Sequence, residues 1–184
     1  DPLWNVSIST QGLVTSSYNG LIEYDPIQND KIVNRLADNW ETSDDGKLYT
    51  FHLRKDVRWH DGKAFGAADV KRTIEAWQNP PKGKQWFQVS LANMIASAEV
   101  VDSYTIKVAL KQRQNSFLGW LDTVFALIAP SHVLDQEGRL KNTVMGTGPF
   151  KFKRYDQGVV YEAVKNKDFF IPGWPYLDGL TMWI

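Results

Sequence analysis

From Tyr49 to Leu53 the chain alternates: Tyr49, Phe51 and Leu53 are apolar, while Thr50 and His52 are polar. A period of two is the pattern of a half-buried strand, so the segment is expected to be a strand with His52 facing outward. Asp44-Asp45-Gly46 precedes it as a turn,. After a polar break at Lys55-Asp56 the alternation resumes at Val57 and Trp59 and stops at Asp61-Gly62, which predicts a second short strand closed by a turn,. Beyond Phe65 the period changes. Ala67, Val70, Ile74 and Trp77 stand at offsets of three, seven and ten, one face of a helix, with Asp69 in its first turn where a negative charge complements the helix dipole,. "NPPKGK" ends that helix,.

The remaining pattern is strand-rich. "SAEVVD" and "YTIKVAL" read as two strands joined at Asp102-Ser103, and "APSHVLDQ" reads as a short helix with Pro130 near its start,. Phe150 to Tyr155 and Val159 to Val164 read as two strands linked by "DQG", and "PGWPYLDGLTMWI" as a loop feeding a last strand,. In the first twenty residues Val6, Ile8, Leu13, Val14 and Tyr18 suggest a helix face, and "LIEYDP" a short extended piece ended by Asp25-Pro26,. The fold class these elements predict is α/β, a mixed and mostly antiparallel sheet with helices.

Composition narrows the function. The 184 residues carry 43% hydrophobic and 23% charged side chains, enough for a globular core,. Twenty-one Lys and Arg balance twenty-one Asp and Glu, so no net field favours nucleic acid or an anionic membrane,. No apolar run reaches the roughly 18 residues of a spanning helix, and no leader pattern is expected at the start. With no Cys there is no disulfide, thiolate metal site or cysteine nucleophile,. Eight Trp, seven Tyr and nine Phe supply large apolar faces suited to a core or to a ligand pocket,.

Catalytic constellations are not expected. His60 and Asp61 are neighbours at a strand end, where successive side chains point apart; "HDG" reads as turn punctuation with His60 exposed,. His52 and His132 have no metal-ligand spacing, the serines no nucleophile elbow, and "GTGPF" lacks the helix that would make a phosphate cradle,. No cofactor and no metal are expected. Phe51, Trp59, Trp77, Phe152 and Tyr161 sit at buried phases, whereas Trp4 and Trp86 lie on irregular segments.

Leu36-Ala37-Asp38-Asn39-Trp40, Asp45-Gly46 and "YTFHLRKDVRWHDGKAFGAADV", followed by "GTGPFKFKRY", Asn166, "DFF" and "PYLDGL", resemble in order and spacing the peptide- and nickel-binding solute-binding proteins of ABC transporters. "DPL" and "YNGLIEYDP" resemble the opening blocks of that family. Gly66 stands where the family usually has Thr or Ser before its helix, a poorer cap,.

The resemblance implies a type II periplasmic-binding-protein-like fold of two lobes, in proteins of roughly 500 residues, far above ordinary single-domain size. This chain would then correspond to lobe I alone: residues 1–29 its N-terminal piece, 30–150 a small sheet-and-helix subdomain and 151–184 strands returning to the main part, with lobe II absent. It further implies a monomeric, non-enzymatic receptor, periplasmic or extracellular, with a membrane-anchored lipoprotein as one form. The partners would be a small-molecule or peptide ligand and the membrane permease of an ABC importer, with no nucleic acid. In such receptors the segments around Trp4 and Trp86 lie near the ligand cleft, and those two with Phe125 are the expected ligand-binding residues. An aromatic-rich carbohydrate-binding module is the alternative, a small hydrolase a more distant one.

Overall fold

The computed structural model describes residues 15–25, 31–80, 82, 89–137 and 144–184. Three antiparallel sheets organise them. β1 (Ile22–Tyr24) pairs with β2 (Ile32–Asn34). β3 (Ala37–Thr42), β4 (Leu48–Leu53), β5 (Ile95–Asp102) and β6 (Thr105–Leu110) form a sheet in the order β3-β4-β6-β5. β7 (Phe150–Asp156), β8 (Val160–Lys165) and β9 (Gly179–Trp183) form a third in sequence order. The helices are α1 (Ala67–Gln78), α2 (Val89–Met94), α3 (Phe117–Leu121) and α4 (Ser131–Glu137), preceded by a 3₁₀ turn at Thr15–Ser17.

The period-two segments account for the central sheet. Phe51 on β4 lies directly opposite Ile106 on β6, and Tyr49 opposite Val108, so one face collects side chains that are all buried. α1 covers that sheet, burying Ala67, Val70, Ile74 and Trp77 against it, and packs on β5, β6 and α4. Each such large apolar side chain contributes roughly 1.5–3 kcal/mol on burial, which outweighs the weak cap at Gly66. Thr73 pins the helix sideways: its hydroxyl donates to the Ala129 carbonyl at 3.1 Å and accepts the Ala129 amide at 3.0 Å.

Asp69 compensates for the glycine cap. Its Oδ2 accepts the Gly66 amide at 3.0 Å and the Trp59 indole N–H at 3.1 Å, and its Oδ1 accepts the Ser131 amide at 2.8 Å. One carboxylate thus starts α1, seats Trp59 and fixes the start of α4.

The GTG segment is a clamp. Gly148 donates its amide to Ser17 O at 3.0 Å, and its carbonyl accepts from Asn166 Nδ2 and from His60 Nε2, each at 3.0 Å. The Gly146 carbonyl accepts the His60 amide at 2.9 Å. A methyl group on Gly146 would stand 1.7 Å from Ser17 O, so only glycine allows this approach. Three distant parts of the chain, the 3₁₀ turn, the His60 turn and the start of the third sheet, meet there.

Several expectations are corrected. Val57 and Trp59 are buried as their phase predicts, yet they form no strand; the segment makes a single bridge, Arg58 to Ala64. Asp61-Gly62 turns the chain back at once, so no partner strand of any length runs beside it. His60 is not exposed but part-buried against the GTG segment, because the covering residues come from a position 88 residues away. Phe152 is half-buried rather than fully so. Most of the expected N-terminal helix lies outside the described residues, and its last part is the 3₁₀ turn. Among the described residues, no helix is long and apolar enough to cross a membrane.

Candidate functional site

A cavity of about 300 Å³ opens where the first strand meets the end of α3. It is lined on one side by Thr15, Tyr18, Asn19, Gly20 and the three residues of β1, and on the other by Leu121 to Val124 and Leu127. Both walls have local causes. Leu121 is buried at the end of α3; the Thr123 hydroxyl then donates to Trp120 O at 3.1 Å and the Ala126 amide to Thr123 O at 2.9 Å, folding residues 122–126 into a tight return. The Ile128 amide donates to Asn19 O at 3.1 Å and ties that return to the opposite wall. Asn19 Nδ2 reaches Thr147 Oγ1 at 3.0 Å, and the Tyr18 hydroxyl accepts the Met145 amide at 3.0 Å, so the GTG segment buttresses the floor.

The charged groups in the lining are both acids, Glu23 and Asp122. Glu23 forms an ion pair with Arg35 of the β2–β3 connection. Asp122 Oδ1 accepts the Tyr24 amide at 2.7 Å. Burial raises the Asp122 pKa, and the charge of Glu23 adds to the rise, against the opposing pull of the Tyr24 amide and Arg35. Burial likewise pushes the Tyr18 phenol well above its ordinary range, so it stays protonated.

Phe125 stands in the same return, half-buried, one residue beyond the lining residue Val124. Trp4 and Trp86 lie outside the described residues. Asn19, Tyr24, Asp122 and Thr123 were not singled out in the sequence, and Tyr18 was read there as part of a helix face and not as a site residue. The available signal was an acid and polar residues beside it in "SSYNG" and in "LDTVF".

His60 and Asp61 are separated by the fold. His60 goes to Gly148, while Asp61 Oδ2 meets His132 Nε2 of α4 at 2.8 Å. Burial lowers the His60 pKa to about 4, nearby Lys151 adding to the effect and the Gly148 carbonyl and Asp61 opposing it. The neutral ring donates from Nε2 to Gly148, and Nδ1 is buried with no partner among the described residues. Among the described residues the partners of these two side chains are backbone groups, Lys63 and His132, and no group of three His, Cys, Asp or Glu is arranged for a metal. The motif is architectural.

The family model for bacterial extracellular solute-binding proteins, family 5 Middle, matches residues 31–184. The glutathione-binding protein GsiB of Pectobacterium atrosepticum is 34% identical over 178 residues, covering 96% of this chain and 34% of that protein. The Helicobacter pylori periplasmic binding protein DppA, solved with the peptide STSA, superposes with a TM-score of 0.88 at 28% identity, covering 100% of this chain and 40% of that one. AgaA of A. tumefaciens R10, solved with agropinic acid, gives a TM-score of 0.86 at 31% identity, over 96% of this chain and 35% of its own. The chain thus spans about a third of the length of the curated relatives it matches. These superpositions place its mixed α/β fold in the type II periplasmic-binding-protein class. The family match over residues 31–184, on a chain whose turn motifs serve as clamps, means that the chain belongs to the bacterial extracellular solute-binding proteins of family 5, a family of non-catalytic binding proteins.

Proposed function

We propose that this chain forms the ligand-facing part of lobe I of a receptor that captures a peptide or a similar small solute outside the cytoplasm and presents it to the permease of an ABC importer. The cavity between β1 and the 121–127 return carries the reading: it is concave, lined by polar and apolar groups together, and held open by hydrogen bonds between segments far apart in sequence,. Residues 1–29, 30–150 and 151–184 are the opening piece, the sheet-and-helix subdomain and the returning strands of that lobe. Tyr18 and Tyr24 line the cavity and Phe125 stands one residue beyond the lining residue Val124; Phe125 with Trp4 and Trp86 is the proposed contact set. Ligand bridging two lobes would favour a closed state, and the permease would read that state. The relatives named for glutathione, a peptide and agropinic acid define the solutes to try first.

The test is calorimetry of the protein as its gene encodes it against glutathione, trialanine, N-acetyl-trialanine, agropinic acid and maltotriose, with Val124→Arg to fill the cavity. A Kd in the micromolar range, about −8 kcal/mol, is expected for one of the first four, weakened at least about tenfold by the Arg side chain. Binding of maltotriose alone would support the carbohydrate module instead. No binding, or binding indifferent to Val124→Arg, would remove the cavity from consideration.

A further inference from the structure

Residues 145–148 are held from two sides in alternation. On one side stands His60: its amide donates to the Gly146 carbonyl at 2.9 Å and its ring Nε2 to the Gly148 carbonyl at 3.0 Å. On the other stand two lining residues of the cavity: the Tyr18 hydroxyl accepts the Met145 amide at 3.0 Å, and Asn19 Nδ2 donates to Thr147 Oγ1 at 3.0 Å. Thr147 is buried, and the two carbonyls that His60 grips flank it in the chain. The Gly148 amide also donates to Ser17 O at 3.0 Å, one residue before Tyr18, so a shift of this segment reaches the cavity wall by a second route. A carbonyl can only accept, so Nε2 carries the ring proton; Nδ1, buried and without a partner among the described residues, is bare,.

Resting on the reading of this cavity as the solute site, we propose that neutral His60 is a positioning residue for it: the residue holds the GTG segment against Tyr18 and Asn19, and its protonation loosens that grip and weakens solute binding. A second ring proton would sit at Nδ1, where no acceptor stands among the described residues, and its charge would lie beside Lys151, whose Nζ is 3.4 Å from the His60 carbonyl,. The acids nearby are engaged with other cations, Asp61 with His132 and Lys63, and Asp168 with Lys151. Tyr18 and Tyr161, which face the 3₁₀ turn and the GTG segment, are phenols that burial keeps neutral. The Gly148 carbonyl favours a charged ring, yet burial outweighs it and the ring titrates at about 4,. The grip is therefore intact at neutral pH and fails in acid. By linkage, a solute that requires the ordered lining must itself lower the His60 pKa further.

Calorimetry and histidine-selective NMR on the protein as its gene encodes it test this with the tightest binder among glutathione, trialanine and agropinic acid. At pH 7 His60→Ala should bind at least about fivefold more weakly than wild type, the lower end of ordinary coupling between sites. His60→Gln, which keeps a donor for Gly148 and cannot titrate, should recover most of that loss. Taking wild-type affinity relative to His60→Gln at each pH cancels the titration of the solute itself. That ratio should fall about twofold between pH 7 and pH 4, where half of the wild-type molecules carry the extra proton,. NMR should show the His60 proton on Nε2 at pH 7 and a lower pKa in the solute-bound protein than in the free one. An affinity ratio constant with pH, a His60 pKa indifferent to solute, or a neutral ring protonated at Nδ1 overturns the assignment, and the NMR comparison needs only wild type even if the variants misfold. Binding that Val124→Arg weakens and that neither His60 variant alters would sink this inference and spare the solute site. Failure of all three solutes to bind would remove both.

Discussion

The indole N–H of Trp59 donates to Oδ2 of Asp69 at 3.1 Å, and both residues are buried. That bond joins the turn-rich segment 57–62 to the first turn of α1, where the same carboxylate also takes the Gly66 and Ser131 amides. Trp59→Ala should therefore cost roughly 3–5 kcal/mol through the cavity it leaves. Trp59→Phe, which keeps most of the ring, should cost about 1–2 kcal/mol for the lost donor. Asp69→Ala, leaving three donors without their acceptor, should fall closer to the first figure. Urea midpoints order the three; a Trp59→Phe variant as unstable as Trp59→Ala would show that the hydrogen bond outweighs the packing.

His60 makes stability depend on pH. Its ring titrates near 6.5 in the unfolded chain and near about 4 in the fold. Between those values the unfolded chain holds a proton that the folded protein refuses, so the contribution is complete above pH 6.5 and is lost as pH falls toward 4, at most about 1.4 kcal/mol per pH unit. Protonation would place a charge and a second N–H, at Nδ1, in a buried position near Lys151 with no acceptor among the described residues. The His60→Gln variant should be less stable than wild type at pH 7, with the gap narrowing toward pH 4.5. A gap constant across that range in urea titrations would mean that His60 is free to charge.

Glycines that look alike in sequence should behave differently. Gly62 has φ of +89° with open space around it, so Gly62→Ala should cost about 1–2 kcal/mol from the left-handed conformation alone,. Gly146→Ala would drive a methyl into the Ser17 carbonyl, backbone against backbone, and should cost about 3 kcal/mol or more,. Equal losses in thermal unfolding would contradict the tight contact at the GTG clamp.

These cases mark what was legible in the sequence. The β4 alternation and the α1 spacing were readable because local period and burial agree: Tyr49, Phe51 and Leu53 are buried, as are Val70, Ile74 and Trp77. Val57 and Trp59 had the right phase and the wrong element, since burial of a turn-rich segment by its own return mimics a strand. The placement of His60 was unreadable because its surroundings are set by Gly148. The cavity was hidden for the same reason: Tyr24 and Asp122 meet across 98 residues, and neither lies in a stretch with its own hydrophobic period. Family resemblance supplied the order of the blocks, yet their roles as clamps emerged from hydrogen bonds.

The hydrogen-bond contact of Asp61 Oδ2 with His132 Nε2 is a further tie between the His60 turn and α4, and its geometry is better than its environment. The 2.8 Å separation is ideal, but the two side chains are 25% and 22% exposed and Lys63 Nζ stands 3.5 Å from the same carboxylate oxygen. Partial burial alone would raise the Asp61 pKa; the Lys63 amide, His132 and the Lys63 charge together bring it below its ordinary value. Solvent and the competing lysine therefore share in holding the carboxylate, and removing His132 leaves it with other partners. A double-mutant cycle of Asp61→Asn and His132→Gln should return a coupling of no more than about 1 kcal/mol, smaller in high salt than in low. A coupling of about 3 kcal/mol or more, insensitive to salt, would place the pair in a far drier setting and would make α4 depend on this turn as strongly as it does on Asp69.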